Sequence, residues 1–170
     1  MPLPPITIGS WDSLDPASNI LGRVFDRDPV LRFMLCNLSD EQYDAYLQAY
    51  WRDSRPVNAA KKRVLGNRPH YYIFAIGTEH EHQGKGLARA LIESQKQTAW
   101  STEVPMWLEA TTEYSRDLYL SLGFQEVEQI TIGQGKVNRD GFMRKDGEGV
   151  TLWLMVWWPQ SSQRDVAMVV

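Results

Sequence analysis

The sequence predicts an α/β fold in which helices are layered on a mixed central sheet. Three observations carry this expectation. An apolar, aromatic-rich run over residues 70–76 leads through a turn containing Gly84 and Gly86 into a helical pattern that starts at Leu87. A second apolar run, residues 106–111, precedes another helical pattern that stops at Gly123. The last run, residues 150–158, is apolar on both of its faces, which suits a central strand buried on both sides.

The 170 residues suffice for one domain with a real core. With 43% hydrophobic and 23% charged residues the composition is that of a globular chain, which excludes a disordered one. Eighteen basic against twenty-one acidic residues give a formal charge of −3. There is therefore no overall attraction for a nucleic-acid backbone, no local basic patch stands out, and no nucleic-acid partner is expected. Cys36 stands alone, so neither an intrachain disulfide nor a thiolate zinc cluster can form. The N-terminus lacks the pattern of a signal peptide, and the apolar stretches are too short to span a bilayer. A cytoplasmic protein with no membrane partner is the expectation.

Taken in order, Ile6-Thr7-Ile8 alternates and reads as a short strand. Asp15-Pro16 reads as an N-cap followed by a first-turn proline, opening a helix with Ile20, Leu21, Val24 and Phe25 on one side. Asp28-Pro29 restarts the chain into a short helix carrying Val30, Phe33 and Met34. Ser39 and Gln42 form a capping-box pattern. Behind it Tyr43, Tyr46, Leu47, Tyr50 and Trp51 make one helical stripe, either core packing or the wall of a substrate pocket. Residues 52–69, broken by Pro56, Gly66 and Pro69, read as a loop around a solvated Lys61-Lys62-Arg63 run. Residues 70–76 read as a buried strand, and Gly77 ends or bulges it. Residues 124–132 read as a strand and 133–149 as a glycine-rich charged loop.

The turn before Leu87 carries chemistry. A strand, a glycine turn and a helix make an anion site, because the first helical amides lack partners and the helix dipole is positive there. Gly84 and Gly86 remove side chains, and Lys85 adds a cation. The spacing matches neither the phosphate loop of nucleotide hydrolases nor the dinucleotide fingerprint.

Gln83-Gly84-Lys85-Gly86-Leu87-Ala88 resembles the Gln/Arg-x-x-Gly-x-Gly/Ala signature of the GNAT (GCN5-related N-acetyltransferase) superfamily. Leu118-Tyr119-Leu120-Ser121-Leu122-Gly123-Phe124 is similar to the Leu-Tyr-x-x-x-Gly-Phe segment of its next helix. The resemblance covers roughly residues 71–159, is strongest to fungal members, and extends weakly to Phe25 and Asp28-Pro29. It implies that the last strand inserts between its two predecessors. It implies acetyl-CoA, or another acyl-CoA, as co-substrate, its pyrophosphate held by the amides of Gln83, Gly84, Lys85, Gly86, Leu87 and Ala88. A backbone amide near Ile76, Gly77 or Thr78 would polarise the thioester carbonyl, and Tyr119 would protonate the departing thiolate. The chain then divides into an acceptor-side part (1–69), a CoA-binding core (70–159) and a tail (160–170).

The family's second and third strands, a hairpin before the cofactor strand, have no counterpart in residues 52–69. The cofactor strand would then approach a sheet edge, which pairs with the first strand or with a second subunit in a homodimer. Among candidate bases, Glu109 on the second buried strand is favoured, since a carboxylate there is costly unless paired or functional. Phe25, Tyr43, Tyr46, Tyr50 and Thr111 are the candidate substrate contacts. His80 and His82 with Glu79 and Glu81 lack a third ligand cluster, so no metal is expected. The function expected is acetyl transfer to an amine of a small molecule. A repurposed enzyme on this scaffold, acting on an apolar or thioester substrate, and a non-catalytic CoA- or partner-binding module are the alternatives.

Overall fold

The computed structural model describes residues 5–6, 13–25, 28–30 and 55–159. The Ser39 cap, the stripe with Tyr43, Tyr46 and Tyr50, and most of the first predicted strand lie outside the described residues. The described elements are α1 (Leu14–Val24), α2 (Arg55–Leu65), β1 (Tyr71–Tyr72), a 3-10 turn (His80–His82), α3 (Leu87–Ser101), β2 (Met106–Ala110), α4 (Glu113–Ser121), β3 (Gln125–Ile132) and β4 (Val150–Trp157). The four strands form one sheet in the order β1-β2-β4-β3. β1 runs parallel to β2, while β4 is antiparallel to both β2 and β3. The last strand therefore does insert between β2 and β3.

Register sorts the side chains onto two faces. Trp107, Leu152, Leu154 and Val156 point to one face with Ala60 and Leu65 of α2 and with Val137 from the 133–149 loop. Met106, Leu108, Ala110 and Met155 point to the other, against Ile92 and Ala99 of α3 and Tyr119, Leu122 and Phe124. That double burial is what the apolar β4 sequence requires.

Three local expectations are corrected. Residues 55–65 form a helix, not a loop. Ala59, Ala60, Lys61 and Lys62 are strong helix formers, and Pro56 costs nothing in the first turn, where its absent N–H has no partner to lose. Val57, Ala60, Val64 and Leu65 fall on one stripe that packs on the sheet. Gly66, at φ 61°, ends the helix in the left-handed region. Residues 70–76 are not a buried strand: the ladder is limited to Tyr71–Tyr72, and both rings are exposed. Aromatic content makes a segment fit for a sheet, but what it meets there decides burial. Finally, the cap of α1 is Ser13, with Asp15 and Pro16 inside the first turn. Ile20, Leu21, Val24 and Phe25 do share its half-buried side.

Helix α4 has well-defined ends. Thr112 and Ser115 cap each other reciprocally at its start. At its end the Phe124 amide donates to the Tyr119 carbonyl at 3.1 Å and the Gly123 amide to Leu120 at 3.0 Å, a Schellman closure around Gly123 at φ 83°. Its hydrophobic clasp is Tyr119 against Phe124, with ring centroids 5.6 Å apart.

Candidate functional site

β1 and β2 diverge. Tyr71 pairs with Met106 and Tyr72 with Trp107, and the Ile73 amide still donates to the Trp107 carbonyl at 3.0 Å. Beyond Ile73 no further ladder bond joins the two among the described residues. A wedge therefore opens beside Leu108, Glu109 and Ala110, and residues 74–79 form its far wall. Helix α1 packs behind that wall. A Cβ on Gly77 would lie 2.9 Å from Val24 Cγ1, so glycine permits the approach. Arg23 of α1 pairs with Glu79.

At the end of this wall the 3-10 turn leads into α3. Gly84 and Gly86 take φ of 72° and 79°. Both are left-handed, and a Cβ on either would meet open space, so glycine serves backbone conformation here, not packing. The amides of Gly84, Lys85, Gly86, Leu87, Ala88 and Arg89 have no backbone acceptor among the described residues. Gln83 donates from Nε2 to the Thr78 carbonyl at 3.2 Å and fastens the loop to the wall. The Lys85 ammonium folds back onto the Glu81 carbonyl at 2.9 Å and lies 3.2 Å from His82 Nδ1, so its charge stays at the turn. Glu81, His80 and His82 are exposed. Successive unpaired amides, a helix dipole and a cation form a cradle that fits a phosphate group.

Glu109 lies on the α2 face of β2, in line with Trp107. One carboxylate oxygen accepts from the Trp107 indole N–H at 2.6 Å, and the other from the Tyr72 hydroxyl. Tyr119 stands on the opposite face, buried against Phe124. Burial pushes the Tyr119 hydroxyl up to about 12, so it keeps its proton at every ordinary pH. The Thr111 hydroxyl donates to buried Asp28, whose other oxygen accepts from the Val30 amide at 3.0 Å. Phe25 is half-buried at the end of α1. A cavity of about 420 Å³ runs under β1, lined among others by Tyr71, Ile73, Leu91 and Met106. Among the described residues no group of three metal-ligating side chains occurs, and no helix is long and apolar enough to cross a membrane.

The structure thus brings Glu109 together with Tyr72 and Trp107, neither of which any sequence motif marks, and sets it apart from Tyr119. The Trp107 contact has a signal in the sequence, since residues two apart on a strand share a face. The Tyr72 contact has none, because only the β1–β2 register places it there.

The Tyr119 environment makes a prediction about alkaline stability. With a folded pKa near 12 and an ordinary value of 10, its contribution is fully present below pH 10 and is lost as pH rises toward 12. Between pH 10 and 11.5 wild type is expected to lose about 1.5 kcal/mol more than Tyr119→Phe in urea melts, the slope approaching roughly 1.4 kcal/mol per unit only midway between the two values. Parallel stability curves would show that the hydroxyl ionises freely in the folded state.

The acetyltransferase (GNAT) domain family matches residues 33–137. The uncharacterized protein YDR391C of Saccharomyces cerevisiae is 31% identical over 103 residues, which cover 59% of this chain and 44% of that one. This chain spans about half the length of the curated relatives it matches. A crystal structure of histone acetyltransferase HPA2 and related acetyltransferase from Corynebacterium glutamicum superposes with a TM-score of 0.57 at 16% identity, over 89% of this chain and 93% of that one. An agmatine N-acetyltransferase reaches the same TM-score, 0.57, at 13% identity over 86% and 94%. At such identities these structures speak for the fold alone, a mixed sheet flanked by helices. The sequence relative is fungal, in keeping with the resemblance read from the motifs. Since the family match spans more than half of its length, this chain belongs to the GNAT acetyltransferase domain family.

Proposed function

We propose that this chain transfers an acetyl group from acetyl-CoA to an amine of a small molecule. The observation that carries the reading is the cradle of six unpaired amides from Gly84 to Arg89, placed at the end of the wall that borders the wedge. Its residues fit the pyrophosphate of a CoA: amides supply the donors, left-handed glycines keep side chains away, and Lys85 supplies charge. The co-substrate contributes an activated thioester.

The chain's own groups would do the rest. Amides of Ile76, Gly77 and Thr78 border the wedge and are available to polarise a carbonyl there. Glu109, at the mouth of the wedge, would accept the proton of the attacking amine. Tyr119, on the other face, keeps its proton and would donate a hydrogen bond to the departing sulfur. With a pKa near 12, full transfer to a thiolate is uphill, so its part would be charge stabilisation. Phe25 and Thr111, with Tyr43, Tyr46 and Tyr50, are the proposed acceptor contacts, although the Thr111 hydroxyl is already committed to Asp28. That the agmatine N-acetyltransferase shares the fold suits an amine acceptor.

Acetyl-CoA is expected to raise the melting temperature, and a panel of amines is expected to include one that releases CoA, read with a thiol reagent. No thermal shift at millimolar acetyl-CoA would overturn the reading. A binding-module reading is favoured by one observation: the β1 edge exposes Tyr71, Tyr72 and Phe74, the last at 78%. A thermal shift without turnover, together with a dimer by light scattering, would support that alternative.

A further inference from the structure

We propose that Tyr72 and Trp107 are positioning residues that together hold the Glu109 carboxylate aimed into the wedge between β1 and β2. The inference rests on Glu109 being the proton acceptor, and it adds what makes that carboxylate usable. An ionised carboxylate offers about four acceptor sites and, left alone, turns about its last torsion. Here one donor holds each oxygen: the Trp107 indole N–H at 2.6 Å and the Tyr72 hydroxyl. Two donors on two oxygens fix the plane of the group and leave lone pairs for an incoming N–H.

The two holders differ in what else explains them. Trp107 is fully buried, so its N–H needs some acceptor, and Glu109 supplies it. Burial makes no such demand of Tyr72, which is 43% exposed and whose hydroxyl could bond to water. It reaches Glu109 instead, from a different strand, and its ring is held in place to do so. The Lys61 ammonium lies 4.7 Å from the ring centroid, and Phe74 packs edge-on at 6.0 Å. Helix α2, through Lys61, thus supports a side chain of β1 that orients one of β2.

The test uses the full chain carrying Tyr72→Phe, Glu109→Gln and both together. Acetyl-CoA is varied against the most reactive amine of the panel. Glu109→Gln keeps an acceptor for the indole and so spares the fold. Tyr72→Phe is expected to lower kcat about tenfold, leaving the KM for acetyl-CoA and its thermal shift unchanged. In the Glu109→Gln background Tyr72→Phe is expected to change nothing more, because there is no base left to aim. Multiplicative losses in the double variant, or an unchanged kcat in Tyr72→Phe while Glu109→Gln is impaired, would overturn the positioning role. An unimpaired Glu109→Gln would instead remove Glu109 as the base. A readout without turnover is the Trp107 indole proton resonance, assigned with Trp107→Phe. It is expected well downfield in wild type and displaced in Tyr72→Phe, where the carboxylate is free to turn. A resonance indifferent to Tyr72→Phe would also overturn the proposal.

Discussion

Replacing Gly86 with aspartate is expected to lower acetyl-CoA affinity at least a hundredfold, measured by calorimetry. Two costs act at the same position. Gly86 sits at φ 79° directly before α3, and an L residue there is strained by about 1–2 kcal/mol. The larger cost is electrostatic. A carboxylate at the start of α3 would itself take up the unpaired amides and cancel the positive end of the helix dipole that a pyrophosphate would use. Since the space around Gly86 is open, the folded state is expected to survive with a small loss of melting temperature. Gly84→Ala separates the two costs, as it adds strain without charge, and is expected to weaken binding several-fold only. Equal affinity in wild type and Gly86→Asp would show that the cradle does not hold the anion.

Replacing Gly147 with alanine is expected to destabilise the fold by about 3 kcal/mol and to lower the melting temperature by roughly 10 °C. The new Cβ would lie 2.1 Å from the carbonyl oxygen of Val137 and 2.4 Å from its carbonyl carbon. Backbone cannot yield as a side-chain tip can. Val137 is fully buried in the cluster beneath α2, and its carbonyl accepts from the Gly149 amide at 2.8 Å. Gly147 also accepts from the Gly135 amide at 2.8 Å, so both sides of the contact are tied. Relief would have to lift Val137 out of the core. Thermal melts of the variant check the figure. A change below 1 kcal/mol would mean that the loop relaxes without disturbing Val137.

Both glycines show what the sequence made legible and what it did not. Gly86 declared itself by its neighbours, because a strand, a glycine turn and a helix in succession form a local pattern. Gly123 did likewise, and the Schellman closure follows from Leu122-Gly123-Phe124 at a helix end. Gly147 carried no such mark, since its constraint comes from a segment ten residues away. The same division runs through the site. The cradle was readable as a string, and so was the central place of β4, whose two apolar faces need two layers. The helical character of residues 55–65 is also present in the sequence, but Pro56 and Gly66 are ambiguous there, since the same residues mark a loop or the start and stop of a helix. The Tyr72–Glu109 contact was not readable, because it depends on which residues of two strands stand opposite each other.

The order β1-β2-β4-β3 has a consequence for how the chain acquires its structure. β4 is the last of the four described strands in chain order, yet it lies inside the sheet and pairs with both β2 and β3. Until it arrives, β2 has β1 as its one partner among the described strands. Trp107 and Leu108 wait without their β4 neighbours Val156 and Met155. Assembly is therefore committed late, through contacts between Met106–Ala110 and Val150–Trp157 that close a long loop, and the expected pace is that of a sheet with distant partners. A nascent chain halted before Val150 would present open edges of the kind that chaperones recognise and aggregates recruit.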